Sequence, residues 1–279
     1  MKCASTTPLL VSAKPYTTRT QAELRQLVFD LMVEDGWSKS TKLLTKEANP
    51  KTAKNAKVGD YTAIMHLAPH ALSGKNVCPW ASKGCIAACL HTAGNRQYLP
   101  AKTQARIART RLFFQHRPLF MEILRREIQA HVVRSHKLGL NPSVRLNGTS
   151  DIPWETTDIF NVEGVRFYDY TKSWQRAVDA IDTTYHLTFS RSECNDDHCR
   201  LVLSYGGTVA VVVEGYGISA HPKPLPERSS YFGESVPVID GDEHDARYLD
   251  RPGSIIALRA KGDAIGDTSG FVVPRSSFE

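Results

Sequence analysis

The apolar positions of this chain repeat in two rhythms, and the change comes near residue 60. Before it, Leu24, Leu27, Val28 and Leu31 recur at helical spacing. Thr20 and Glu23 stand ahead of them as a capping box, each side chain placed to bond the other's backbone amide. Gly36 supplies the left-handed residue on which a helix ends. One amphipathic helix is predicted there, after a Thr- and Ser-rich stretch with Pro8 and Pro15 that is expected to be loosely ordered. The Lys-rich residues 38–60, with Asn49-Pro50, read as loop or short helix.

After residue 60 short apolar runs alternate with longer helical stretches. Residues 61–67, 143–146, 165–170, 185–189, 208–213, 236–239 and 254–258 are predicted strands, rich in β-branched and aromatic residues. Between them a helix opens at Pro100 with Ala101, Ala105, Ala108 and Leu112 on one face, and Pro118 breaks it. A second carries Leu119, Ile123, Ile128 and Val132 and ends near Gly139; residues 174–181 form another. Residues 209–213, Val-Ala-Val-Val-Val, are apolar throughout, as in a strand covered on both faces. This alternation predicts an α/β fold: a mostly parallel, closed or partial TIM-like barrel (residues 60–279) preceded by a helical N-terminal extension (residues 1–59).

In such folds the loops after the C-terminal strand ends build the site. Here those ends are polar in succession: Asn147, Ser150 and Asp151; Asp169, Tyr170 and Lys172; Ser190, Arg191 and Glu193; Glu214; then Asp240, Asp242 and His244. The run following residues 61–67 holds Cys78, Cys85 and Cys89, spaced C-x6-C-x3-C. Thiolates at that density bind a soft metal. Three without a local fourth suit a 4Fe–4S cluster with one iron open. The alternatives are zinc, with His91 completing Cys3His, or unligated buried thiols. Cys194 or Cys199 could supply a fourth ligand from across the barrel, with a helix start capped by Asn195 or Asp196 as the plainer reading; Cys3 reads as incidental.

Composition changes this picture little. Six cysteines in a chain without a recognisable secretory leader favour metal or catalysis over disulfides and point to the cytoplasm. No apolar run approaches the roughly 18 residues of a membrane span. The formal net charge of +6 is compatible with a solvated basic surface or with nucleic acid, but no nucleic-acid-binding fingerprint accompanies it. His66 and His186 fall in strands and read as interior residues, and no Gly-x-Ser-x-Gly elbow supports a serine hydrolase. The run Asp240-Gly241-Asp242 with Asp245 lacks the Glu of a calcium loop and reads as a turn pairing with Arg247.

Cys-Pro-Trp…Gly-Cys…Ala-Cys-Leu at 78–90, Tyr98, Arg145-Leu146-Asn147…Asp151 and Tyr168-Asp169-Tyr170-Thr171-Lys172 together resemble the gene-product-88-like proteins of bacteriophages. Leu-Thr-Phe-Ser at 187–190 and Val-Ile-Asp-Gly-Asp…Asp-Ala-Arg at 238–247 fit the same family over roughly residues 60–262. The resemblance implies a phage source and thus the host cytoplasm. A looser similarity links the chain to radical S-adenosylmethionine enzymes, which also place three cysteines after a first strand. Their C-x3-C-x2-C spacing is absent, and their Gly-Gly-Glu-like motif is replaced by Leu146-Asn147-Gly148-Thr149-Ser150.

An open iron acts as a Lewis acid without an electron donor. The resulting expectation is a hydrolase acting on a small ester-like substrate. Asp169 and Asp151 are candidate general bases, Tyr170 and Lys172 would stabilise an oxyanion, and Arg145, Asn147, Ser190 and Glu214 would contact substrate. The competing readings are a redox or radical enzyme on the same cluster, and a nucleic-acid-binding protein with a structural cluster or zinc in which Arg106 and Arg109 meet phosphate.

Overall fold

The computed structural model describes residues 15–34, 36, 42–45, 53–92, 99–217 and 222–279. Cys3, Tyr98, residues 1–14 of the tail expected to be loose and residues 38–41 and 46–52 of the Lys-rich segment lie outside them. The first helix, α1 (Gln21–Glu34), opens on the expected capping box: Thr20 N donates to Glu23 Oε2 at 2.5 Å, and Glu23 N to Thr20 Oγ1 at 3.2 Å. Gly36 sits at φ 77° and donates to Val33 O, ending the turn.

The strands are β1 (Leu44–Thr45), β2 (Asp60–Met65), β3 (Asn141–Arg145), β4 (Arg166–Thr171), β5 (Tyr185–Ser190), β6 (Val209–Val213), β7 (Arg228–Ser229), β8 (Val236–Asp240) and β9 (Ile255–Arg259). The longer helices between them are α2 (Lys83–Ala87), α3 (Leu99–Gln115), α4 (Arg117–Lys137), α5 (Trp174–Asp179) and α6 (Asp196–Ser204), with α7 (Arg275–Phe278) near the C-terminus. All of the predicted strands are present within a residue or two of their expected limits. The two-residue β1 and β7 are too short to leave a periodic signal.

One nine-stranded sheet results, in the order β1-β2-β3-β4-β5-β6-β9-β8-β7. Neighbours from β2 through β8 are parallel; β1 and β7 pair antiparallel at the two edges. The fold is mixed α/β and the sheet mostly parallel, but among the described residues no hydrogen-bonded ladder closes it. The closed barrel among the expectations is therefore not formed. Two features account for this. β9 inserts between β6 and β8, so the chain does not add strands in sequence order around a ring. The short antiparallel strands β1 and β7 then form the two edges, and they do not pair with each other. Between β2 and the far side of the sheet the links are made by side chains: Lys54 Nζ to Asp242 O at 2.5 Å, Asp245 N to Asn55 Oδ1 at 2.6 Å, and the Tyr248 hydroxyl to the Asp60 carboxylate.

The pleat divides the sheet into an apolar and a polar face. Ala63, Met65, Val144, Leu146, Phe167 and Leu187 point to one side, into a core with α1, α3 and α4. Phe189, Val209, Val211, Val213, Ile255 and Ala257 continue that side toward Cys199 and Val202 of α6. Burying each of the larger of these side chains, valine upward, contributes about 1.5–3 kcal/mol. The alternate positions carry hydrogen-bonding groups: Thr62 and Ser143 share a bond of 2.7 Å, and Asn55 Nδ2 donates to Thr62 and to the Tyr168 hydroxyl. Leu24, Val28, Leu43 and Leu44, on the N-terminal side of residue 60, belong to the same core as the sheet.

Candidate functional site

The C-terminal end of β2 runs into the cysteine loop. Ala68 N is anchored to Thr110 Oγ1 of α3 at 2.8 Å, and His70 takes the left-handed conformation, φ 48°. That turn aims the His70 amide at Cys78 Sγ, 3.4 Å away, while His70 O accepts from Val77 N. Asn76 Oδ1 holds Cys78 N at 2.9 Å, and Asp151 N reaches back to Val77 O at 2.8 Å. Ser82 caps α2 by accepting from Cys85 N at 3.2 Å.

Cys78, Cys85 and Cys89 are all half-buried free thiols. Burial pushes Cys78 up to about 12, and negative charge on Cys89 or Cys85 would push it further; the His70 amide acts in the opposite sense. Burial also raises Cys85 and Cys89. Lys172 opposes that rise at both, and Arg106 opposes it at Cys89. The three thiols therefore share one electrostatic neighbourhood, with Asp151 acting on Cys78 and Cys85. Among the described residues no group of three or more His, Cys, Asp or Glu side chains is arranged to hold a metal ion, so Cys78, Cys85, Cys89 and His91 do not form a single-ion Cys3His cage.

Lys172 lies just past β4. Its ammonium donates to Ser190 O, Ser190 Oγ and Arg191 O at 3.3, 3.1 and 3.0 Å and stands 4.9 Å from the Phe271 ring centre. Ser190, expected to touch substrate, thus holds Lys172. Asp151 is buried and tied on both oxygens, to Arg176 Nη1 at 2.6 Å and Lys172 N at 2.9 Å; burial raises its pKa. Arg176 also pairs with Glu155 and lies over Trp80 of the cysteine loop, 5.2 Å from its ring centre.

Asp169 is fully buried on the apolar face. Its oxygens accept from Leu146 N, Asn147 N and the Tyr185 hydroxyl at 3.1, 2.8 and 2.9 Å, and burial pushes it up to about 7 despite Arg145. A carboxylate so enclosed fixes the β3 end and has no opening toward a substrate. Asn147 is likewise committed. Its Oδ1 accepts from Ser150 Oγ, Ile152 N and Trp154 Nε1, and its Nδ2 donates to Ile152 O. Gly148 beside it admits no side chain, since a Cβ would lie 2.5 Å from Met65 O.

Arg145 turns onto the polar face, bonding Asp245 Oδ2 at 2.7 Å, with Asp169 Oδ1 at 3.8 Å from its Nε. Burial works against its charge, and Asp245 foremost keeps it protonated. Its guanidinium carbon lies 4.9 Å from the Tyr170 ring centre. The Tyr170 hydroxyl is buried without a hydrogen-bond partner among the described residues, and burial raises its pKa. Glu214 is half-buried at the end of β6. His66 and His186 are pushed down to about 3 and about 4, chiefly by burial, as suits neutral interior residues.

Cys199 is a core residue bonded to Asn195 Oδ1, and Cys194 is exposed. Arg109, named for phosphate contact, is buried and donates to Lys42 O at 3.0 Å. Asp240 and Asp242 pair with Arg259 and Lys261; Arg247, their expected partner, is matched with Asp250.

Sequence reasoning counted Glu193 among the polar strand ends but gave it no role. From the end of β5 it reaches the cysteine loop, accepting from Ser82 Oγ at 2.6 Å and Gly84 N at 2.8 Å. These bonds outweigh its desolvation and hold it below the ordinary glutamate value of 4.5. Its stabilising effect is therefore present above pH 4.5 and is lost as pH falls through the lowered folded value. Wild type should lose thermal stability on acidification through that range more steeply than Glu193→Gln; parallel melting curves would refute the assignment.

The family model described as Gene product 88 matches residues 38–275. No curated protein and no solved structure matches the chain significantly.

Proposed function

Because this chain belongs to the Gene product 88 family, a phage gene-product family, we propose that it is an iron–sulfur enzyme of the host cytoplasm. In this reading Cys78, Cys85 and Cys89 hold a 4Fe–4S cluster beside a pocket for a small ester-like substrate. The observation that carries it is that three free, half-buried thiols follow a parallel strand and act electrostatically on one another, with Lys172 acting on Cys85 and Cys89 and Arg106 on Cys89. The donor set fits the group. Cations beside Cys85 and Cys89 offset thiolate charge, and the His70 amide gives Cys78 the hydrogen bond to sulfur that tunes such centres. The finer reading of the sheet is a partial barrel with the polar face as its lumen.

When bound, a cluster with one corner unligated supplies a Lewis acid that polarises a substrate oxygen. The chain's own groups set the remaining terms. Lys172 places a half-buried positive charge beside the thiols, where it would stabilise developing negative charge. Tyr170 offers an unpartnered buried hydroxyl as a donor. Asp151, oriented by Arg176 and raised by burial, is the carboxylate best placed to accept a proton. Asp169 and Asn147 position the β3 end, and Arg145 with Asp245 fixes the floor.

The test is anaerobic purification, iron and sulfide analysis, and hydrolysis of model esters without reductant. About four irons and four sulfides per chain, absorbance near about 400 nm and reductant-independent turnover are expected. Stoichiometric zinc in a colourless protein would sink the cluster. S-adenosylmethionine binding by calorimetry would favour the radical alternative, and salt-steep DNA binding the nucleic-acid one.

A further inference from the structure

We propose that Glu193 is a positioning residue for Cys85, acting across the sheet through Ser82. Cys85 lies in the first turn of α2, a five-residue helix too short to hold itself. Its amide is fixed by Ser82 Oγ at 3.2 Å, and the same hydroxyl donates to Glu193 Oε2 at 2.6 Å. The second oxygen of Glu193 accepts from Gly84 N at 2.8 Å, so one carboxylate holds the residue before Cys85 and the cap on Cys85 itself. Charge-assisted bonds of this kind are about twice as strong as neutral ones.

The approach is close enough that any side chain at 84 would push Ser269 and Glu193 aside. A Cβ there would lie 2.5 Å from Ser269 Oγ and 2.7 Å from Glu193 Oε2. Ser269 belongs to a C-terminal segment that is itself tied to β5: Arg191 Nη1 donates to Gly270 O and, at 3.0 Å, to Phe271 O, and its Nε pairs with Asp196 at 2.8 Å. Phe271 and Val272 share an apolar cluster with Ala88, and Cys85 packs against it. Glu193 and this segment therefore form a wall against which Cys85 is set. Cys78, by contrast, is oriented by its own loop and by Thr149 O. The cysteines are thus positioned by different parts of the chain, and Cys85 depends on residues more than a hundred positions away.

The geometry stands by itself; its consequence for iron rests on the cluster reading above. The test compares wild type with Glu193→Ala, Ser82→Ala and Ser82→Thr, each prepared metal-free and as isolated. Alkylation by iodoacetamide in the metal-free proteins, followed by peptide mass spectrometry, reports Cys85 directly. Buried Cys199 serves as the control for global folding. Cys85 should react roughly tenfold faster in Glu193→Ala and Ser82→Ala, given the usual strength of a bond to a charged group, with Cys199 protected throughout. Ser82→Thr, which keeps the hydroxyl, should restore the wild-type rate. In the proteins as isolated, the two alanine variants should lose iron several-fold faster to a chelator than wild type or Ser82→Thr. An unchanged Cys85 rate in both alanine variants overturns the proposal. So does an equal rise at Cys199, which would mean general unfolding. Wild type isolated without iron overturns the cluster reading alone and leaves the alkylation result to decide the clasp.

Discussion

Replacing Cys78, Cys85 or Cys89 with serine, one at a time, should each remove more than nine-tenths of the bound iron while leaving the fold intact. A cluster held by only two thiolates has lost a third of its protein anchors, and serine oxygen is a poor ligand for a soft metal. The fold survives because each thiol is only half-buried, at the margin of an apolar cluster or outside one, and serine is nearly the same size. Iron and sulfide per chain, with far-UV circular dichroism as the control, measure the effect. Cys199→Ser should behave in the opposite way. That side chain is fully buried in the apolar cluster that holds Ala177, Val202 and Val209, so the smaller and more polar serine lowers stability there, with Asn195 Oδ1 offsetting part of the cost, and spares the iron. Cys194→Ser, at an exposed site, should change neither. Iron retained in any of the three loop variants, or lost on replacing Cys194, would require a different ligand set.

Arg145→Met should be the most damaging single change outside the core. Arg145 and Asp245 are both buried and meet at 2.7 Å. Removing the cation takes from the buried aspartate its ionic partner at 2.7 Å, in a site that also receives the Tyr168 hydroxyl at 3.3 Å. Loss of one partner from a buried pair costs about 3–5 kcal/mol, a fall in melting temperature on the order of 10 °C for a domain of this size. Adding Asp245→Asn should recover much of the loss, because the buried negative charge is then gone. Equal stability of wild type and Arg145→Met would show that water solvates the aspartate, and would return Arg145 to a role in contacting substrate. Comparing Arg145→Lys separates the two: a structural pair retains most stability, whereas a bidentate substrate contact raises KM at unchanged stability.

Much of the local structure was legible in the sequence. The helix-period run at residues 24–31 gave α1 and its capping box, and the short β-branched runs gave the parallel strands. The cysteine spacing marked its loop as chemical, and the structure does bring those thiols into a common electrostatic environment. Asp169 shows where reading by position fails. Its place at a strand end suggested catalysis, but the pleat turns it to the helix-covered side, where two backbone amides take it. A period of two settles which residues share a face, yet which face looks onto a site depends on where the helices pack.

Glu193 and Asp245 make the same point from the other side. Nothing in their local sequence separates them from surface carboxylates, and each acquires its meaning from a partner on a distant strand: Ser82 for one, Arg145 for the other. The order of the last strands is of the same kind, since β9 and β8 carry similar apolar patterns and either would satisfy a parallel neighbour. By itself the sequence determined the elements, their polarity and the loop that holds the thiols, because these depend on residues a few positions apart. Only the tertiary structure decided which carboxylates serve the cysteines and which serve the backbone, because hydrogen bonds and ion pairs act over a few ångströms in space, whatever the distance along the chain.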